Sequence, residues 1–503
     1  MKLSIRFTLF LVFAFMLQSR TFSQKSVQNN SQSDTTRLET NSQTKMKNFL
    51  NHLKISGYIQ TQFQWTDSAG APAYYSGGDF GLYSNNRFMI RRGRLSLAYE
   101  ANIAKAAFQF DMTEKGFALK DAYIAVCEPF LKAFTLTTGL FYKPFGYELS
   151  YSSSLRESPE RARIIQTIFP MERDLGVSLT FNMPETSVFH FLKIQAGIFN
   201  GNAINTEIDQ FKDLCARIQI SNPVKSSFVD YSVGLSYYNG KYNHIYDFDG
   251  KNNHLRYIYT MQNSLPDSNG VTSMIFDKDT SYMKKGRREC TPIKREYFGG
   301  DAQISFNFPF GKTTLRAEYI FGTQPAPFDD KESIYARTSE SSVGMYPGYY
   351  FSGYTNPTVV RPGMVKPSLK YTNTYIRKFN GACFYFIQNI WKTRHQIVVK
   401  YEWYDPNTAV SGKDVKPFYI QGGSNIATNL SAGDIKYSTL GFGLNLFYKE
   451  IMLMIYYEIV KNEITDIGPF DDSQLNDNNF FPSSGFSKNV KDNVLTIRLQ
   501  YKF

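Results

Sequence analysis

Histidine and cysteine are scarce in this chain: 503 residues include 5 His and 4 Cys. Cys127, Cys215, Cys290 and Cys383 stand 75 to 93 residues apart, a spacing that fits neither a disulfide-stapled small domain nor a zinc motif. No structural disulfide is expected. The five histidines, His52, His190, His244, His254 and His395, form no HExxH pair, and neither CxxC nor a glycine-rich phosphate loop is present. The stretch YNHIYDFDGKNNH (242–254) sets His244 and His254 near Asp247 and Asp249 but lacks the tight repeat of a calcium loop, so a solvated loop accounts for it. No catalytic group, metal or cofactor is expected, and a hydrolase is the weakest of the functional readings.

Long apolar runs are also missing. A bundle of membrane helices needs several runs of about 20 apolar residues, and the single run here, Phe7–Leu17, is shorter. Disorder is excluded by the opposite surplus, since 43 Phe and 35 Tyr bring the aromatic content to 16%. The charge is basic, 56 Lys+Arg against 44 Asp+Glu, a formal +12.

Met1–Gln24 has the three parts of a cleaved signal peptide: Lys2 and Arg6, then the apolar Phe7–Leu17, then small Ser19 and Ser23 near the cut. Its removal takes Lys2, Arg6 and Arg20 and leaves +9. Residues 25–52 are rich in Ser, Gln, Asn and Thr and read as a flexible periplasmic lead-in.

From Leu53 the apolar period becomes two. In Val494–Phe503, Leu495, Ile497, Leu499, Tyr501 and Phe503 share one face, while Thr496, Arg498, Gln500 and Lys502 share the other. Such alternation argues a strand with one apolar and one polar face. It recurs in sixteen candidate strands joined by alternating short and long connections, the long ones near 143–173, 239–295, 322–374, 405–434 and 462–492. A soluble sandwich would bury the apolar faces, whereas a membrane barrel turns them to lipid and encloses the polar ones. The even count, the loop asymmetry, the final strand ending in Phe and the absence of a linker after residue 52 favour the barrel. The doublets Tyr237/Tyr238, Trp403/Tyr404 and Tyr456/Tyr457 are expected to be interfacial girdle residues. The expected fold is therefore all-β, a 16-stranded antiparallel transmembrane barrel over 53–503.

The segments RFMIRRGRLSLAYE (87–100), DAYIAV (121–126), GLFYKPFGYELSYSS (139–153), ERDLGVSLTF (172–181) and AGIFNGN (196–202) resemble the phosphate-selective porin O/P family of Gram-negative outer membranes. The terminal LTIRLQYKF is similar to the C-terminal strand, ending here at Phe503, that the barrel-assembly machinery recognises. The resemblance implies a trimer, a third long loop folded into the lumen, and basic residues that select anions. Arg92 and Arg94 match the family's basic strand. Lys143 opens the constriction loop, which also carries Arg156, Arg161, Arg163 and Arg173. A ring of such cations replaces part of an anion's hydration at a narrow point, and guanidinium can grip two oxygens at once.

Charge counting tempers the implied selectivity. The loop's five basic residues meet five acidic ones, Glu148, Glu157, Glu160, Glu172 and Asp174. Parity places nine cations in the lumen, Lys54, Arg92, Arg94, Lys193, Arg217, Arg316, Lys400, Arg498 and Lys502, against seven acids, Glu100, Asp111, Asp121, Asp301, Glu318, Glu402 and Glu458. Any one of these arginines serves equally as the cation of a salt bridge that pins a loop to the wall. Part of the net positive charge suits a surface facing lipopolysaccharide phosphates. The expectation is an outer-membrane channel for small hydrophilic solutes with a mild anion preference and no nucleic-acid partner. The alternative is a binding or adhesion barrel that acts through the 239–295 and 322–374 loops.

Overall fold

The computed structural model describes residues 49–81, 83–205, 207, 210–222, 228–244, 258–263, 274–278, 291–327, 374–414, 419–421, 424–426, 434–465 and 488–503. The chain divides into two compact units, Met1–His52 and Leu53–Phe503. Of the first, only 49–52 are described, and they are helical. The signal-peptide and lead-in expectations therefore lie almost wholly outside the described residues.

Sixteen strands of the second unit close on themselves. They are β1 (Leu53–Thr66), β2 (Asn86–Ala101), β3 (Ala104–Thr113), β4 (Gly116–Cys127), β5 (Phe134–Tyr142), β6 (Arg173–Asn182), β7 (Leu192–Phe199) and β8 (Asp213–Ser221), followed by β9 (Val229–His244), β10 (Thr291–Phe308), β11 (Gly311–Pro327), β12 (Thr374–Asn389), β13 (Gln396–Asp405), β14 (Tyr437–Tyr448), β15 (Ile451–Asn462) and β16 (Val494–Lys502). Each pairs antiparallel with the next, and β16 pairs antiparallel with β1, from Tyr58↔Lys502 to Thr66↔Val494. Closure satisfies the backbone groups that a sheet edge would leave bare in lipid. Two backbone hydrogen bonds between Gly57 and Phe503 (2.8 and 3.0 Å) carry the seam to the last residue. A short hairpin, Ile258–Asn263 with Met274–Lys278, adds to the sheet beside the start of β12 through a parallel pairing.

The faces follow the alternation. Ile55, Ile59, Phe108, Ile124, Leu179, Ile497, Leu499 and the Phe503 ring lie exposed on the outside. Gln60, Gln62, Gln64, Arg92, Arg94, Thr496, Arg498 and Gln500 are buried within. An apolar exterior around a polar interior is the inversion that a bilayer demands. No described helix is long and apolar enough to cross a membrane. The connections alternate as expected, but β9, β10 and β11 run beyond their expected ends, to His244, from Thr291 and to Pro327.

Two features correct the sequence reading. In a pleated strand neighbouring side chains point to opposite faces, so each aromatic doublet splits. Tyr238, Tyr404 and Tyr456 are buried in the lumen, leaving only their neighbours outside. The lumen face is also not polar in every strand: β15 turns Met452, Met454 and Tyr456 inward. These side chains are buried in a cluster with residues of a loop that enters the lumen.

Candidate functional site

That loop is 143–172 (loop 3), between β5 and β6, the third connection on its end of the barrel after β1–β2 and β3–β4. It contains one short helix, α1 (Arg163–Ile168). Its start is seated by Glu318 of β11, whose carboxylate accepts the backbone N–H groups of Tyr147 (3.1 Å) and Glu148 (2.8 Å), while Ser236 Oγ accepts that of Gly146 (2.9 Å). Gly146 has φ +57°, and a Cβ there would stand within 3 Å of the Glu318 carboxyl carbon, so the approach requires glycine. Glu148 then accepts the Tyr385 hydroxyl (2.6 Å) and the Ala162 N–H (3.1 Å), folding the loop back on itself.

Loop 3 is two-sided. Phe145, Leu149, Ile164, Ile165, Ile168 and Phe169 join Tyr238, Tyr297, Phe379, Tyr404 and Tyr456 in one buried cluster. The Phe169 ring meets Phe145 at 5.0 Å, Tyr238 at 5.5 Å and Tyr297 at 5.8 Å, within the range of favourable ring pairs. The other side carries acids that meet the basic wall. Glu160 accepts from Arg91 (2.7 Å), Arg92 (2.6 Å) and Arg498 (2.9 Å), and Glu157 accepts from Arg316 (3.1 and 3.2 Å).

The predicted cations separate into groups. Arg92, Arg94 and Arg161 line a common cavity of about 330 Å³ on the charged side, together with Asp111, Glu160 and Glu172. Arg94 approaches Asp111 at 3.4 Å. Arg161 donates to the carbonyls of Glu148 and Leu149, both at 3.0 Å, and also pairs with Glu172. Arg156 lines a second cavity, about 570 Å³, at the short-turn end, where it donates to the Tyr151 carbonyl (3.3 Å). Arg163 lies between the rings of Tyr75 (4.3 Å) and Tyr437 (4.1 Å).

The rest are in local ion pairs. Lys143 meets Asp174 (2.6 Å), Arg173 meets Asp121 (3.0 Å), Arg217 donates to Asp301 (2.9 Å) and Lys400 meets Glu402 (2.7 Å). A salt bridge that pins loop 3 to the wall is made by Arg316 with Glu157 and by Arg92 and Arg498 with Glu160, whereas the Arg217–Asp301 and Lys400–Glu402 pairs join wall residues to each other. Glu318 departs from its expected role as a cation's partner, since its observed hydrogen bonds run to loop 3 backbone.

Three cations of the 330 Å³ cavity were not foreseen: Arg91, Lys115 and Lys120. Two owe their place to β-bulges. Gln60 pairs with Arg92 and Thr61 with Ile90, which leaves Arg91 extra; Gln109 pairs with Asp121 and Phe110 with Leu119, which leaves Lys120 extra. A bulge re-aims side chains, so strict alternation misassigns residues at each one. With these, six cations face three carboxylates around the cavity. The crowding registers in the β3–β4 turn, where burial and then neighbouring Arg91 and Arg87 lower the pKa of Lys115.

Among the described residues no group of three or more His, Cys, Asp or Glu could hold a metal ion. The His244 side chain, His254, Asp247, Asp249 and Cys290 lie outside what is described. Cys127, Cys215 and Cys383 are free thiols.

A closed sixteen-stranded barrel with its third loop inside defines the membrane-spanning porin fold. Within that class, residues 56–281 match the family model of phosphate-selective porins O and P, which bears out the resemblance over that span. Among solved structures, Pseudomonas putida OprB at high pH is similar at 8% identity, over 92% of this chain and 97% of that one, with a TM-score of 0.50. The outer-membrane channel DcaP of Acinetobacter baumannii (10% identity, 90% and 97% covered, TM-score 0.43) and Salmonella typhi OmpF with daunomycin (11%, 90% and 97%, 0.42) also match. At these identities the likeness concerns fold alone. No curated protein matches the chain.

Proposed function

We propose that this protein is a passive outer-membrane diffusion channel for small hydrophilic solutes, with a mild preference for anions such as phosphate. The observation that carries this reading is the 330 Å³ cavity, in which Arg91, Arg92, Arg94, Lys115, Lys120 and Arg161 outnumber Asp111, Glu160 and Glu172. Fixed positive charge in a low-dielectric enclosure raises the local concentration of anions. The preference stays mild because other lumen arginines are already neutralised by carboxylates. Export by a cleaved signal peptide, insertion by the barrel-assembly machinery through the strand ending at Phe503, contact with lipopolysaccharide and assembly as a homotrimer complete the proposal.

The test is reversal-potential and competition measurement in planar bilayers with chloride, phosphate and a neutral sugar. The proposal expects steady single-channel current, a modest anion bias and competition by phosphate. A barrel that only presents its loops to a partner would pass little current.

A further inference from the structure

Loop 3 is not the only connection folded into the lumen. The β1–β2 connection, 67–85 (loop 1), has a small core of its own, in which Ala71, Ala73 and Phe80 cluster with Val494 of β16. Backbone N–H groups of Ser76 and Gly78 donate to the Ala73 carbonyl (3.0 and 3.1 Å) and curl the loop tightly. Ties to four further elements hold it down. Ser76 Oγ donates to Glu458 of β15 (2.7 Å), and Gln64 of β1 donates to the Ser76 carbonyl (2.6 Å). Arg87 of β2 donates to the carbonyls of Gly78 (2.6 Å) and Asp79 (2.8 Å). The fourth tie is to α1 of loop 3, and it centres on Tyr75. Its hydroxyl meets that of Thr167 (3.0 Å), its carbonyl accepts from Gln166 (2.9 Å), and Arg163 lies 4.3 Å from its ring centre.

A connecting loop ordinarily runs over the surface, where water satisfies its backbone. In loop 1, Tyr75 and Ser76 are buried, and the ties listed by partner above replace that water. Only one edge of the loop, Gly77 and Gly78, borders the 330 Å³ cavity. Their φ values of +112° and +117° are ones that residues with side chains rarely adopt. A Cβ at Gly77 would stand 3.5 Å from Gln62 Nε2 and 3.6 Å from Arg91 Nε, so a longer side chain there would crowd the wall of the cavity. Lys115, in the β3–β4 turn on the same end of the barrel as loop 1, also borders the cavity. Loop 1 therefore stands between the external end and the charged cavity, with bare backbone as its working edge.

We propose that loop 1 is a second filter, which sets the largest solute that reaches the charged cavity from outside, with Tyr75 as its positioning residue. The inference rests on the channel reading above and adds a size limit separate from charge. A glycine edge offers bulk and no charged side chain, so it screens neutral and anionic solutes alike. Small solutes pass beside it, and bulky branched ones such as oligosaccharides are turned back.

The filter is tested in the full chain, with the native cysteines replaced by serine and Lys120→Cys placed in the cavity. The detergent-purified protein is treated with a small neutral maleimide and with one carrying a bulky polyethylene glycol. Adding Tyr75→Ala should raise the ratio of bulky to small reaction rates about tenfold, the change in loop opening expected when a cation–π contact and a hydrogen bond are lost together. Tyr75→Phe keeps the ring beside Arg163 and should restore most of the exclusion. Ser76→Ala, which removes the tie to Glu458, should act in the same direction as Tyr75→Ala and serves if that variant does not assemble. In planar bilayers, neutral polyethylene glycols added on the external side should enter Tyr75→Ala at a larger size than they enter the wild type, with the limit from the periplasmic side unchanged. An unchanged rate ratio, or a size limit that moves equally from both sides, overturns the filter. A conducting channel with an unchanged ratio counts against the filter alone; a raised ratio in a barrel that passes no current counts against the channel reading alone.

Discussion

The two sides of the lumen hold the same loop by opposite chemistry. On the side of β16, β1 and β2, loop 3 is held by charge, through Glu160 with Arg91, Arg92 and Arg498, and by side-chain amides, Gln60 and Gln500, that donate to the carbonyls of Ser153 and Ser154 at 3.0 and 3.1 Å. On the side of β9 to β13 and β15 packing dominates, with Phe145, Ile164 and Phe169 against Tyr238, Tyr297, Phe379, Tyr404 and Tyr456, and β11 and β12 add the Arg316–Glu157 pair, the Glu318 seat and the Tyr385 hydrogen bond to Glu148. Burying each such ring is worth about 1.5–3 kcal/mol, and the cluster excludes water. The charged side keeps a cavity bordered by unequal numbers of cations and acids. The proposed solute path is therefore assigned to the charged side, with the aromatic side as its foundation.

This contrast can be broken from either side, and the largest effect is expected from the aromatic one. Phe169→Ala removes the ring that touches Phe145, Tyr238 and Tyr297. Loss of a buried Phe costs about 3–5 kcal/mol, here charged mainly to loop docking, so single-channel conductance should rise and become noisier. Unaltered traces would show that packing does not hold the loop. Reversing both Arg92 and Arg94 to Glu removes one of the three partners of Glu160 and should alter conductance less than Phe169→Ala does, while shifting the permeability ratio roughly several-fold towards cations. A reversal potential that does not move under a salt gradient contradicts their place beside the solute path.

A smaller effect is expected at the seat of the loop. Gly146→Ala meets a left-handed backbone, which costs an L-residue about 1–2 kcal/mol, and crowds Glu318. Brief extra openings should be seen, and their absence argues that the seat tolerates a methyl group. Least of all, raising salt from 0.1 to 1 M shortens the Debye length from about 10 to about 3 Å. The anion preference should weaken while the conductance gain of Phe169→Ala persists, since packing is not screened.

Much of the architecture was legible because a membrane barrel writes itself in period two. The strand count, the closing strand at Phe503, the loop alternation and the inward side of Arg92, Arg94 and Arg498 all followed from parity. The bulges were passed over although they leave a trace: the outer apolar face changes parity from Phe88 to Leu95 across Arg91, and from Phe117 to Ile124 and Val126 across Lys120, and each extra residue adds a cation to the site. The dry half of the lumen was not legible, because an inward Tyr or Met reads the same whether water or loop 3 covers it. Tyr238, Tyr404 and Tyr456 were misassigned for a different reason, because each doublet was read as one girdle although alternation turns one ring of the pair inward. Loop acids could be counted but not paired, since Glu157 and Glu160 reach partners more than 65 residues away.

The division of the lumen is tested most directly by thiol accessibility. In a chain whose own 4 cysteines are replaced by serine, Lys120→Cys and Phe379→Cys can be compared in planar bilayers with a charged, water-soluble thiol reagent. Rapid modification at 120 with a stepwise change in current, and no reaction at 379, is the predicted result. Equal reaction at both positions, or reaction at 379 alone, would contradict a wet charged side and a dry aromatic one.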